Sequence, residues 1–125
     1  MSDGRTFRLV PLRDLKEHEE VDPKKVEALV AEIRAGQTVD DPIWVAVGSG
    51  VILNGHHRVA ALRRLGAARA PAWLIDYHSP TVRLERWTEG PPIPKTEVEQ
   101  RAARGDLFPP QTTRHILVEP PPRRT

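Results

Sequence analysis

Apolar and polar positions along this chain switch repeatedly between the period of a strand and the period of a helix. Phe7-Arg8-Leu9-Val10 reads as a short strand that stops at Pro11, with a turn through Leu12 and Leu15 behind it. A polar loop, Lys16-Glu17-His18-Glu19-Glu20, leads to Asp22-Pro23, an N-cap followed by proline at the first helical position. Val26, Leu29, Val30 and Ile33 then recur at helical spacing, and Gly36 closes that helix. Residues 42–47 predict a strand, Gly48-Ser49-Gly50 a tight turn, and residues 51–54 its antiparallel return. Beyond Gly55 the stripe Val59, Leu62, Leu65 predicts a second helix that ends at Gly66. Residues 72–77 and 82–87 predict two further strands.

The last third is less regular. Gly90-Pro91-Pro92-Ile93-Pro94 is a rigid spacer, and Thr96 with Glu99 has the spacing of a capping box, starting a short helix through Val98 and Ala102 to Gly105. Residues 107–115 are too polar for an obvious core element, and residues 120–125 read as disordered. No internal repeat is present. The expectation is one α+β domain over residues 1–125: a small mixed sheet with flanking helices, an ordered core over about residues 6–117, and flexible tails at 1–5 and 118–125.

Composition narrows the classes of function. A net charge of +2 over 125 residues does not call for nucleic acid as a partner. The chain has no cysteine, which removes disulfides, zinc–thiolate sites and thiol chemistry together. Residues 1–5 lack the apolar run of a signal peptide, and no apolar run approaches the roughly 20 residues of a membrane span, so a soluble cytoplasmic protein is expected.

The densest chemistry lies where the strand at 51–54 meets its helix through Gly55-His56-His57-Arg58. A strand that enters a helix through glycine leaves the first backbone N–H groups unpaired and aimed at one spot, which suits an anion. Arg58 there faces the positive end of the helix dipole, an arrangement that opposes folding and fits a bound phosphate or carboxylate. Three other clusters stand out. His18-Glu19-Glu20 could supply a carboxylate base, Thr112-Thr113-Arg114-His115 gathers phosphate donors, and Trp87 sits among polar neighbours as a pocket wall would. Neither a His-x-x-x-His pair nor an H-E-x-x-H pattern occurs, which argues against a dedicated transition-metal site.

Together these residues resemble the ParB/sulfiredoxin superfamily, and within it the free serine kinases. That group carries a His-Glu loop, an Asp-Gly-His-His-Arg motif, an Asp-Tyr at a strand end, a strand tryptophan and a late Lys-Thr-Thr-Arg-His. Here they correspond to His18-Glu19, Asn54-Gly55-His56-His57-Arg58, Asp76-Tyr77, Trp87 and Gln111-Thr112-Thr113-Arg114-His115. The resemblance implies a compact ParB/sulfiredoxin-like fold and phosphoryl transfer from ADP or ATP to the hydroxyl of free L-serine, with Mg2+ offsetting phosphate charge. It makes Glu19 the general base. Gly55, His56, His57, Arg58, Thr112, Thr113, Arg114 and His115 would hold the nucleotide phosphates, Trp87 and His18 the amino acid, and Asn54 the metal.

Two positions depart from the group's pattern: Asn54 stands for aspartate and Gln111 for lysine, each deleting one formal charge. Sulfiredoxin chemistry needs a cysteine where His56 stands. A nuclease needs clustered carboxylates, and Glu19, Glu20 and Asp76 are scattered. The alternative to a kinase is a non-catalytic ParB-like nucleotide-binding module acting in regulation or partitioning. The expected partners are a nucleotide and an amino acid, with neither membrane nor nucleic acid.

Overall fold

A computed structural model of the protein describes residues 5–36 and 42–118. Strand β1 (Arg5–Pro11) pairs antiparallel along its whole length with β4 (Arg69–Ile75), and β4 runs parallel to β2 (Ile43–Ala46). β2 in turn pairs antiparallel with β3 (Ile52–Asn54), giving a mixed sheet in the order β1-β4-β2-β3. The parallel β2–β4 pair needs a crossover, and β3 followed by α2 (His56–Arg64) supplies it.

Helix α1 (Pro23–Arg34) starts as its sequence predicts. The Asp22 side chain accepts from the Lys24 N–H at 2.9 Å, with Pro23 at the first helical position. Its Val26 and Val30 bury against Ala61 of α2, while Val59 of α2 packs into a core with Ile43, Val45, Ile52, Ala70 and Ala72 of the sheet. Each valine or isoleucine among them contributes roughly 1.5–3 kcal/mol on burial. The second core lies towards the C-terminal half. There Val98 and Ala102 of α3 (Lys95–Arg104) meet Leu53, Ile75, Tyr77, Val82, Phe108 and Leu117.

Several expectations are corrected. Strand β6 (Thr113–Leu117) occupies part of the polar stretch and pairs antiparallel with β5 (Val82–Arg86) in a separate two-stranded sheet. Its inward positions include Thr113 and His115, so the alternation that marks a strand is present but written in polar residues. The Thr96–Glu99 capping box does not form. Pro94 is the N-cap of α3 with no side-chain cap, Thr96 lies inside the helix, and Glu99 bonds His78 instead. The start of α3 is fixed by the Lys95 Nζ, which donates to the carbonyls of Tyr77 and Ser79. At the inner edges of the expected tails, Arg5 pairs with Ile75 and the Val118 N–H donates to the Thr81 carbonyl, within the approximate bounds read from the sequence. Residues 1–4 and 119–125 of those tails lie outside the described residues.

Candidate functional site

Gly55 is the N-cap of α2, with φ of +112°, a conformation that glycine tolerates and other residues resist. A Cβ at this position would stand 2.5 Å from Cγ2 of Ile43, so the backbone passes over the core at a distance only glycine permits. The first intrahelical bond runs from the Val59 N–H to the Gly55 carbonyl at 2.9 Å. The N–H groups of residues 56–58 precede it and have no acceptor within the helix.

These groups open beside a cavity of about 180 Å³ lined by Glu19, Leu53, Asn54, Gly55, His56, His57, Trp87, Gln111, Thr113, Arg114 and His115. Most of the residues singled out in the sequence therefore converge from four separate stretches of chain. Of the residues to which the resemblance gives a role, three do not line this cavity. His18 is fully buried (0 % exposed), Thr112 lines a neighbouring cavity of about 420 Å³, and Arg58 is half-buried outside the lining.

Glu19 is 8 % exposed and its Oε1 accepts three hydrogen bonds, from the N–H of Thr112 (2.9 Å), the N–H of Thr113 (2.7 Å) and the Thr113 hydroxyl (2.9 Å). Three of the four donors of the Thr-Thr segment thus go to Glu19, and the fourth, the Thr112 hydroxyl, donates to the Pro109 carbonyl at 2.7 Å. Glu20, its neighbour, is exposed. The loop holding both is zipped into place on two sides. The Phe108 N–H donates to the His18 carbonyl and the Glu20 N–H to the Phe108 carbonyl, while Lys16 exchanges backbone bonds with Gly50 and Ile52.

Both histidines of α2 brace the same loop. Nε2 of His56 accepts from the His18 N–H at 3.3 Å, and Nε2 of His57 accepts from the Asp22 N–H at 3.0 Å. With Nε2 accepting, the neutral rings carry their proton on Nδ1; this tautomer is assigned from the bonding network. Burial lowers the pKa of both rings. For His56 the neighbouring imidazoles of His18, His115 and His57 add to the effect; for His57 it is Lys25 that adds, with Asp22 and Glu19 opposing.

His18, His56 and His115 form one buried cluster, with ring centroids 4.5 Å apart for His18–His56 and 5.6 Å for His18–His115. Burial lowers His18 to about 4, partly offset by the Ile52 carbonyl. It lowers His115 to about 3, with His18 adding to the effect and the Leu53 carbonyl opposing it. Neither ring's Nδ1 makes a hydrogen bond of normal geometry among the described residues. His115 Nε2 is bonded to the Tyr77 hydroxyl at 2.9 Å; Tyr77 belongs to the Asp76-Tyr77 pair noted in the sequence, but no local signal there pointed to a partner 38 positions away. The three rings are neutral at pH 7, so they add no cationic charge to the cavity.

The fixed cation in the lining is Arg114, whose guanidinium lies 4.6 Å from the centroid of the Trp87 ring. Trp87 is 58 % exposed and forms an open wall, its backbone N–H donating to the Thr112 carbonyl. Gln111 takes a positive φ of 55°, unusual for a side-chain-bearing residue, at the edge of the same cavity. Among the described residues no group of three His, Cys, Asp or Glu side chains could hold a metal ion by itself. No helix among them is long and apolar enough to cross a membrane.

Comparison with known proteins gives the same direction. No family model matches the chain. It is 37% identical over 83 residues to an ATP-dependent L-serine kinase of Staphylothermus marinus, covering 63% of this chain and 33% of that protein. It is 33% identical over 85 residues to an ADP-dependent L-serine kinase of Thermococcus kodakarensis, covering 65% of this chain and 35% of that one. The chain thus spans about a third of the length of these curated relatives. Among solved structures, a glutamate-to-alanine variant of a free serine kinase in complex with ADP superposes with a TM-score of 0.83 at 20% identity, over 94% of this chain and 90% of that one.

Proposed function

We propose, from its similarity to the L-serine kinases and from the fold it shares with a free serine kinase, that this chain is a ParB/sulfiredoxin-like member of that group and phosphorylates free L-serine. The donor is ADP or ATP and the product O-phospho-L-serine. The observation that carries this reading is the pairing of one carboxylate, Glu19, with a glycine-capped helix N-terminus across a single small cavity.

In this reading the phosphates of the nucleotide lie against the backbone N–H groups at 55–58 and the Arg114 guanidinium. His56 and His57, neutral and protonated on Nδ1, act as hydrogen-bond donors rather than as cations. The serine side chain enters beside Trp87. Three donors occupy Oε1 of Glu19, which leaves Oε2 as the oxygen to take the hydroxyl proton. The serine oxygen then forms its bond to phosphorus as the bond to the bridging oxygen breaks, and AMP or ADP leaves. Thr112, Thr113 and His115 support this arrangement from behind, and so does His18, which full burial keeps from touching the amino acid.

Magnesium suits this donor set as an ion carried on the nucleotide. Asn54 and Gln111 offer neutral amide oxygens at the rim, and Mg2+ keeps much of its shell as water and phosphate oxygen. Asn54 is the residue that would face it, and the ion would supply charge neutralisation of the phosphates.

Incubating the protein with L-serine, Mg2+ and either ADP or ATP, followed by mass spectrometry for O-phosphoserine, tests the reading. Product that disappears in Glu19→Gln supports it and identifies the donor. Nucleotide binding by calorimetry with no product would instead favour the non-catalytic nucleotide-binding module.

A further inference from the structure

Behind Glu19 lies a chain of hydrogen bonds that the transfer reaction does not itself require. His18 Nε2 lies 2.9 Å from Thr113 Oγ1, and Thr113 Oγ1 lies 2.9 Å from Glu19 Oε1. All three residues are buried, and His18 and Thr113 stand 95 positions apart in sequence. The direction of the bonds follows from counting protons. An ionised carboxylate only accepts, so the single hydroxyl proton of Thr113 goes to Glu19. The Thr113 oxygen then offers His18 nothing but lone pairs, and His18 must present Nε2–H. Its Nδ1 is then left unprotonated; the Ile52 carbonyl beside this ring is the competing acceptor that favours Nδ1–H, and no hydrogen bond of normal geometry joins Nδ1 to it.

The same imidazole is held from two further sides. The His18 backbone N–H donates to His56 Nε2, and the His18 ring packs edge-on against both His56 and His115. These contacts pack the ring in the orientation that faces Nε2 towards Thr113. A neutral ring also suits the site, because a histidine cation beside Glu19 would compete for its negative charge; burial already holds His18 down to about 4.

We propose that His18 is a positioning residue which, through the Thr113 hydroxyl, locks Oε1 of Glu19 against β6 and so fixes Oε2 as the oxygen presented to the cavity. This role rests on the reading of Glu19 as the base, and it replaces the substrate contact expected for His18 from the family resemblance. It also accounts for a threonine at 113: serine would keep the hydroxyl, and valine would keep the shape while deleting the link.

Two measurements on the full chain test the lock. Long-range ¹⁵N–¹H NMR of the imidazoles, which needs no activity, is expected to show His18 protonated on Nε2 and His56 on Nδ1. The His18 ¹⁵N shifts should move in Thr113→Val and return in Thr113→Ser. A His18 ring protonated on Nδ1, or unmoved by Thr113→Val, would overturn the proposal. In the serine kinase assay, Thr113→Val should lower kcat by about 10–100-fold with KM for nucleotide and serine within about threefold, and Thr113→Ser should recover most of the loss. Equal kcat in Thr113→Val and parent would overturn the role as well. Circular dichroism melts confirm that each variant folds, and the parent's own tautomer carries the test if Thr113→Val does not. A parent that makes no O-phosphoserine but shows the Nε2–H tautomer overturns the kinase reading while supporting the lock.

Discussion

Gly55 and Ile43 approach so closely that any side chain at 55 would displace the core residue beneath it, since Ile43 is itself 1 % exposed. The turn that aims the first N–H groups of α2 into the cavity is therefore set by the hydrophobic core and not by the polar residues around it. Gly55→Ala should cost about 2–4 kcal/mol, combining the left-handed conformation with an overpacked contact. Gly48→Ala is the control: its φ is +87° but nothing lies within 4 Å of the added Cβ, so about 1 kcal/mol is expected. Thermal or urea melts measure both. Equal losses in the two variants would show that the Ile43 contact contributes nothing.

Glu19 and Glu20 are adjacent in sequence and opposite in environment, one bound by three donors and one exposed. In Glu19→Gln the amide oxygen can keep the three donors while an NH₂ replaces the base. Turnover should fall by about 10²–10⁴ with nucleotide affinity nearly unchanged. Glu20→Gln should behave as the parent. The reverse pattern in steady-state kinetics would move the base to Glu20.

How far the sequence revealed this site depends on which side of it is considered. The strand–Gly55–helix turn was legible because glycine punctuation and the stripe Val59, Leu62, Leu65 are local signals. The loop at 16–20 looked solvated, yet His18 and Glu19 are buried, because its partners Phe108 and Thr113 come from about 90 positions away. β6 was invisible for a related reason: its inward face carries Thr113 and His115, whose burial is made tolerable by Glu19 and Tyr77, both distant in sequence. For His18 the resemblance implies a substrate contact, whereas its complete burial is the observation on which the proposed positioning role rests.

The buried histidines make a pH prediction. His18, His56 and His115 have their pKa lowered in the folded state, whereas in the unfolded chain each titrates near 6.5. Below pH 6.5 the unfolded chain binds more protons, so stability rises with pH there. The contribution is complete above about pH 7 and is lost as pH falls towards 4. His18 alone should account for about 2 kcal/mol between pH 7 and pH 5. Melting temperatures across that range check it, and His115→Gln should make the decline shallower. A melting temperature flat from pH 7 to 5 would mean that the rings are not buried as described.

Arg114 lies over Trp87 and is the fixed cation lining the cavity, a combination that uses both the charge and the planarity of the guanidinium. Arg114→Lys should therefore not be conservative. Nucleotide affinity is expected to drop about tenfold, because a lysine ammonium lacks the planar fork for phosphate. Trp87→Ala should raise KM for the amino acid more than for the nucleotide. Calorimetry and initial-rate kinetics separate the two, and an unaltered affinity in Arg114→Lys would remove Arg114 from the phosphate site.

Asn54 and Gln111 stand at the rim of a cavity that already has little positive charge, with Arg114 opposed by Glu19 and the histidines neutral. A nucleotide diphosphate brings about three negative charges, so the site depends on the helix N-terminus and on a magnesium ion to balance them. Asn54→Asp adds an anion where the ion would sit and should lower the Mg2+ concentration for half-maximal rate severalfold. Gln111→Lys adds a cation on the same rim and should lower KM for nucleotide about threefold to tenfold, less at high salt because the position borders solvent. If the neutral pair is an adaptation to one donor, each change will also shift the ratio of rates with ADP and ATP. Measuring that ratio in both single variants and the double variant decides the point: kinetics indistinguishable from the parent in all three would mean that neither amide takes part in recognising the phosphates.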